Sequence, residues 1–333
     1  MNKKILIVGG AGFIGHNLAL KFVRDKYSVT IVDSLTVNNL SSVIDNKDNL
    51  PDPNLSLNFI NERIKLLKEN GVNILIQDAR DYHSMCKIVD KIKPNILIHL
   101  AAVSHSNRSN KDPYSTFDHS FRTLENSLDA AKGKVEHFIF FSSSMVYGNF
   151  NNKVVDEKTI CEPLGIYGAL KFSGEKLVIA YNQVFDLPYT IIRPSALYGE
   201  RCISRRVGQI FIENAIKSIP IKVDGDGTDK LDFTYIEDLI QGVEKIIKNV
   251  KSKNQIFNIT HGNGRSINEI ITILKRNFPK IEVEFKKRDK LMPERGTLSI
   301  EKAKKLIDYK PIWKIEDGYQ RYIDWYKKFI KTN

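Results

Sequence analysis

Residues 5–20, ILIVGGAGFIGHNLAL, constrain the fold more than any other stretch: an apolar strand runs directly into a glycine-rich turn and then into a helix. Gly9, Gly12 and Gly15 stand where a tight turn, a close backbone approach and a helix–strand contact each require a residue without a side chain. The N–H groups that open the helix then face a diphosphate. Asp33 ends the next apolar run, 18 residues after Gly15. A carboxylate there accepts hydrogen bonds from both ribose hydroxyls and repels a 2′-phosphate, so NAD rather than NADP is the expected cofactor.

The same strand-then-helix order continues. Apolar, β-rich runs at Ile5–Val8, Val29–Val32, Ile74–Ile76, Ile96–Leu100, Phe138–Phe141 and Tyr189–Ile192 alternate with amphipathic stretches such as Gly15–Asp25, Tyr82–Ile92 and Thr116–Ala131. That alternation predicts an α/β fold, a Rossmann-like doubly wound parallel sheet. The expected division is an NAD-binding domain over residues 1–195 and a smaller α/β substrate-binding lobe over 196–333, with some chain crossing between them. The lobe has helices near Val207–Lys217 and Ile236–Lys248, a strand at Ile221–Val223, the strand QIFNIT, a helix from Ser266 and a last helix ending YIDWYKKFI. Residues from about 36 to 72 form an insertion: an Asn-rich part with PDP reads as loop, and NFINERIKLLKENG as a helix closed by glycine. It is read as surface decoration, or else as a flap near the cofactor or an oligomer contact.

Composition excludes several classes. No apolar run approaches the roughly 20 residues of a membrane span, and the N-terminus reads as a strand rather than a signal peptide. Three cysteines, odd in number and far apart, argue against a disulfide framework or metal site and for the cytoplasm. The net charge of +12 lies on scattered lysines, as in KIIKNVKSKN, without interleaved aromatics, which favours an anionic small substrate over nucleic acid.

Chemistry enters with IYGALKFSGEKL. Tyr167 and Lys171 lie four apart and so on one helix face. A cation beside a phenol stabilises its phenolate, which takes a proton from an alcohol while hydride leaves for a nicotinamide. The strand FIFF opens into Ser142, Ser143 and Ser144 and then Met145. Asp78 follows another strand and is placed to bond the adenine amine. Ala101 and Ala102 end ILIHLAA, small enough for a cofactor to lie close to the backbone.

With GGAGFIG, HLAAVSHSNRS, FSSSMVYG, YGALKFSGE, RPSALYGER, GDGTDKLDFTYIEDL, FNIT and RGTLSIEKAKKLI, the chain resembles, nearly end to end, the extended short-chain dehydrogenase/reductase family, specifically its nucleotide-sugar epimerases and dehydratases. The resemblance implies a hydroxyl–Tyr–Lys catalytic group over tightly held NAD: Ser143, with Ser144 as its alternative, together with Tyr167 and Lys171. It extends the cofactor set to Phe13, Ile14, Ala79, Leu100, His119 and Pro194, and the substrate set to His105, Ser144, Met145, Arg206 and the diphosphate-binding Arg295. The expected substrate is a nucleoside-diphosphate sugar, and the expected assembly a homodimer through the helices around Thr116–Ala131 and Lys171–Val184.

Departures from the family pattern select among its reactions. Dehydratases carry Thr-Asp-Glu where this chain has Ser143, Ser144 and Met145, so elimination lacks its usual acid and base. Epimerisation at C4 of a hexose through a transient 4-ketose is therefore expected. SHSNRS looks more like the dehydratase segment, which keeps a 4,6-dehydratase as the alternative, along with a 4-dehydrogenase or reductase and, more remotely, an NAD sensor without catalysis. Leu231 replaces an arginine that many relatives aim at the nucleotide; Arg201, Arg205 and Arg206 are the candidates to replace it.

Overall fold

The structure, a computed structural model, describes residues 2–45, 50–104, 106–288 and 292–332. The chain divides into two units. The first comprises residues 1–142, 165–192 and 250–256; the second comprises 143–164, 193–249 and 257–333.

The first unit is built on a parallel sheet. Its strands are β1 (Lys4–Val8), β2 (Ser28–Asp33), β3 (Asn73–Ile76), β4 (Ile96–His99), β5 (His137–Phe141) and β6 (Tyr189–Arg193), in spatial order 6-5-4-1-2-3. Order reverses between β1 and β4, where β1 pairs with β2 on one side and with β4 on the other. Parallel strands covered on both faces need continuous apolar runs, and His137–Phe141 is buried at every position. A late strand, Gln255–Asn258, takes the edge beside β6. QIFNIT, read from sequence with the C-terminal lobe, thus begins in the main sheet.

Helices complete the unit: α1 (Phe13–Arg24), α2 (Leu40–Asp45), α3 (Pro53–Glu69), α4 (Tyr82–Ile92), α5 (Ser106–Lys111), α6 (Pro113–Phe117), α7 (Thr123–Ala131) and α8 (Gly165–Phe185). One π-helical turn, Asp118–Arg122, joins α6 to α7. α3 starts earlier than the sequence suggested: the Asp52 carboxylate accepts the Leu55 N–H at 2.9 Å and Pro53 is the first helical residue. Proline fits there because the first N–H of a helix has no partner to lose. Leu6, Val8, Val32, Val89, Leu97, Leu128, Phe138, Phe140, Val178 and Ile191 pack the core between sheet and helices.

The second unit consists of small paired elements. With the sheet's edge strand Gln255–Asn258 counted as β11, strands β7 (Leu197–Tyr198), β8 (Ile221–Asp224), β9 (Lys230–Asp232), β10 (Thr234–Tyr235), β12 (Gly264–Ser266) and β13 (Val283–Lys286) form the pairs β7–β10, β8–β13 and β9–β12. Around them lie α9 (Val207–Ile216), α10 (Ile236–Lys248), α11 (Ile267–Asn277), α12 (Glu301–Ile307) and α13 (Ile315–Thr332). Ser266 and Glu269 close α11 with reciprocal capping bonds. Buried Tyr198, Tyr235, Tyr319, Tyr322 and Tyr326 lie in the core of this unit.

Candidate active site

The glycine turn has the shape its sequence calls for. Gly9 adopts φ +82°, and a Cβ there would stand 2.7 Å from the Ala101 nitrogen. At Gly15 a Cβ would meet Gly9 O and Gly10 Cα at 2.6 Å. Gly12, the N-cap of α1, differs: a Cβ would touch only Gly9 O, at 3.3 Å, and otherwise fill open space. That space lies before the N–H groups of Phe13, Ile14 and Gly15, which have no acceptor within the helix.

Asp33 stands beside this turn. Its Oδ2 accepts the Ala11 N–H at 2.9 Å and its Oδ1 the Leu35 N–H at 2.8 Å. Burial raises its pKa, opposed first by these two bonds and then by the Arg63 charge and the Asn39 side chain. Each oxygen keeps a lone pair for a ribose hydroxyl, so turn and acid together fit an adenine dinucleotide. Leu100 donates its N–H to Val8 O at 2.8 Å, which brings Leu100 and Ala101 alongside the turn. Asp78, after β3, is gripped by Arg80 through Nη2 at 2.7 Å and Nε at 3.0 Å.

α8 brings the phenol and the amine together. Tyr167 and Lys171 are both buried, and they line one cavity with Thr116, Ser120, Leu124, Phe140 and Leu170. Lys171 Nζ donates to the Phe141 carbonyl at the tip of β5, at 2.6 Å. Burial pushes its pKa down to about 8, against the pull of the Glu175 charge. His119, in the π-helical turn, bonds the Ser115 carbonyl through Nδ1 at 2.9 Å.

The remaining candidates belong to the second unit. Ser143 caps a short 3-10 turn, Ser144–Tyr147, with its Oγ accepting the Met145 N–H at 3.2 Å. Ser144 is buried and donates its N–H to Pro194 O at 2.9 Å. Met145 is half-buried, and the turn carries no carboxyl group. Arg206 is the N-cap residue of α9, while Arg205 pairs with Glu213 at 3.0 Å. Arg295 is half-buried and follows Glu294, whose N–H donates to Asn149 Oδ1 at 2.8 Å. Leu231 lies opposite Arg265 in the β9–β12 pair, but Arg265 is held by Glu269 at 2.7 Å and Glu316 at 2.5 Å. His105 lies outside the described residues. No group of three or more metal-ligating side chains occurs among the described residues.

A sequence model described as the NAD dependent epimerase/dehydratase family matches residues 5–260, which include the glycine turn, Asp33, the strand-tip serines and the Tyr–Lys pair. The chain belongs to this family. NAD is its cofactor, in accord with the open cradle at Gly12 and the Asp33 carboxylate. A putative UDP-glucose 4-epimerase of Methanocaldococcus jannaschii is 30% identical over 98% of this chain and 100% of its own length. A UDP-glucuronate 4-epimerase of Thermodesulfobacterium geofontis is 28% identical over 98% of this chain and 97% of its own. The crystal structure of UDP-glucuronic acid 4-epimerase from Bacillus cereus, in complex with UDP-glucuronic acid and NAD, matches with a TM-score of 0.87 at 28% identity. It covers 98% of this chain and 99% of that one.

Around this epimerase/dehydratase framework stand supporting residues that sequence reading did not single out. Asn126 on α7 donates to both Ala79 O (3.0 Å) and Arg80 O (2.9 Å), which fixes the loop after β3. Arg80 also pairs with Asp118 at 2.6 Å, linking that loop to the π-helical turn. His99 on β4 bonds Ser127 Oγ and Ala101 O, each at 3.1 Å; burial first, then the Lys171 charge, push its pKa down to about 3. Apart from Ala101, two residues after His99, these partners come from distant parts of the chain, so no local spacing announces them.

Proposed function

We propose that this protein catalyses NAD-dependent 4-epimerisation of a nucleoside-diphosphate hexose, with UDP, the nucleotide named for the relatives above, as the nucleotide. The reading rests on α8, where Tyr167 and Lys171 share a buried face and one cavity in the unit that holds the glycine turn. NAD, held by the glycine turn and Asp33, would supply a reversible hydride acceptor for the sugar carbon. The Tyr167 oxygen removes the proton of the 4-hydroxyl and later gives it back. Lys171 bonds the nicotinamide ribose and places positive charge beside the phenolate. The Ser143 hydroxyl holds the reacting sugar oxygen, with Ser144 beside it in the chain. Arg295, with its bidentate fork, and Arg206 neutralise the diphosphate. Asp33 holds the adenosine ribose, Asp78 the adenine and His119 the nicotinamide side.

Ser144 and Met145 decide what happens to the ketose. Neither side chain is a carboxylic acid, so nothing in the turn removes the proton at C5 or protonates a leaving 6-hydroxyl. The 4-ketose swings about its diphosphate tether and is reduced again on its other face. Proton NMR of UDP-, GDP-, CDP- and dTDP-hexoses incubated with the NAD-loaded protein tests the reading. A C4-inverted sugar with no net NADH is expected. A 4-keto-6-deoxy product would mean dehydration, and a stoichiometric demand for NAD would mean net oxidation.

The same reading includes a homodimer through α6, α7 and α8 in the cytoplasm. In its support, Phe117 on α6 and Val184 and Phe185 on α8 are exposed, and the three thiols are unbridged. Light scattering that returned the mass of one chain would overturn the dimer.

A further inference from the structure

Glu175, one turn beyond Lys171 on α8, is a buried carboxyl group that the proposed proton transfer leaves unused. It is 1% exposed, and its Oε1 accepts the Ser142 hydroxyl at 2.5 Å. An O–H···O bond of that length is the charge-assisted kind that a carboxylate makes. Buried carboxylates persist where they are hydrogen-bonded and matched by a cation. The backbone prepares this meeting: a Cβ at Gly174 would stand 2.9 Å from Leu124 Cδ2 on α7 and from Phe140 Cζ on β5, so the bare glycine lets α8 pack closely against both. Two polar bonds then join helix and strand tip in opposite senses. The Lys171 ammonium donates to the Phe141 carbonyl, and the Ser142 hydroxyl donates to the Glu175 carboxylate.

We propose that Glu175 is a positioning residue of the reaction, acting as the buried counter-ion of Lys171 and as the tether that fixes the tip of β5 to α8. The proposal rests on the reading of Tyr167 and Lys171 given above. Among the described neighbours of Lys171, Glu175 is the group whose charge opposes burial. His99, on β4, is held neutral. Phe140, on β5, offers a ring face 5.1 Å from Nζ. Thr116, Ser120 and Leu124, from α6, the π-helical turn and α7, line the cavity without charge. Tyr167 is the group that Lys171 serves. Without the carboxylate, the lysine sheds its proton at lower pH and the phenolate loses its cation. Phe141 and Ser142 also lead directly into Ser143, so the tether sets where the chain carrying that hydroxyl leaves the sheet.

Glu175→Gln keeps an acceptor for Ser142 and removes the charge. The Lys171 ammonium is followed by 15N NMR titration, with and without NAD. Its midpoint is expected to fall by about one pH unit, a tenfold change in proton affinity, and the alkaline limb of kcat/KM with UDP-glucose to move with it. Should the Gln variant not fold, Glu175→Asp, which withdraws the charge by one methylene, is expected to shift both in the same direction by less. A Lys171 midpoint that stays in place or rises in a folded variant overturns the proposal. A wild-type protein that turns over no nucleotide sugar would overturn the proposed reaction instead, because the titration reads the influence of the carboxylate on Lys171 without turnover.

Discussion

Tyr167 and Gly15 make separable demands on this site. Tyr167→Phe removes the proposed proton acceptor and leaves the ring and its packing, so kcat is expected to fall by roughly 10²–10⁴-fold. NAD affinity should stay within a factor of a few, as read by isothermal titration calorimetry. Gly15→Ala acts in the opposite way. Its Cβ would stand 2.6 Å from the backbone of Gly9 and Gly10, and backbone gives way only if the turn opens. NAD affinity should drop at least about tenfold, or roughly 1.4 kcal/mol, with the α8 chemistry intact in whatever fraction stays loaded. Both arrangements were legible in the sequence because each is carried by local spacing: glycines around one turn, and a phenol and an amine four residues apart that line one cavity. Asp78 was harder to read. Arg80, two positions on, grips it, and Arg80 is in turn tied to Asp118, 38 positions away, a tertiary partner that no local spacing announces.

At the scale of elements, α8 against β5 is the contact on which the proposed chemistry depends. Gly174→Ala places a methyl group 2.9 Å from Leu124 and Phe140. Overpacking of this kind destabilises by about 1–3 kcal/mol, which urea unfolding would measure, and kcat should fall as Tyr167 and Lys171 shift off the strand tip. The strands were readable because buried parallel strands are continuous apolar runs, as at Phe138–Phe141. The break between α6 and α7 was not, since the polar DHSFR that forms the π-helical turn still fits a helical pattern. The start of α3 was missed for a different reason: PDP looks like loop until Asp52 is seen capping and Pro53 occupying the first helical position. The partnership of Ser142 with Glu175 joins residues 33 apart and left no local trace.

At the scale of the whole molecule, Asp232 couples the second unit to pH. This buried carboxylate on β9 accepts bonds from Leu298 N at 3.1 Å, Gly262 N at 3.1 Å and Thr260 Oγ1 at 3.2 Å. Burial, the largest influence, raises its pKa from 3.8 to about 6 despite those bonds. A folded-state pKa above the unfolded value means that the native protein holds this proton more tightly. The resulting stability is complete below about pH 4 and is lost as pH rises through 6. Relative to Asp232→Asn, wild-type stability should therefore decline by up to about 3 kcal/mol between pH 4 and pH 7, as urea titrations at the two pH values would show. A constant difference would place the Asp232 proton elsewhere. No helix among the described residues is long and apolar enough to cross a membrane.

The central claim is that hydrogen leaves a sugar carbon and returns to that carbon's opposite face, guided by Tyr167, Lys171 and Ser143. A UDP-hexose deuterated at C4, incubated with the NAD-loaded protein in ordinary water and analysed by NMR, tests it most directly. The account predicts an equilibrium mixture of the two C4 epimers with deuterium retained at C4 in both. Deuterium found at C6 of a 4-keto-6-deoxy sugar, or lost to solvent from an inverted product, would contradict it.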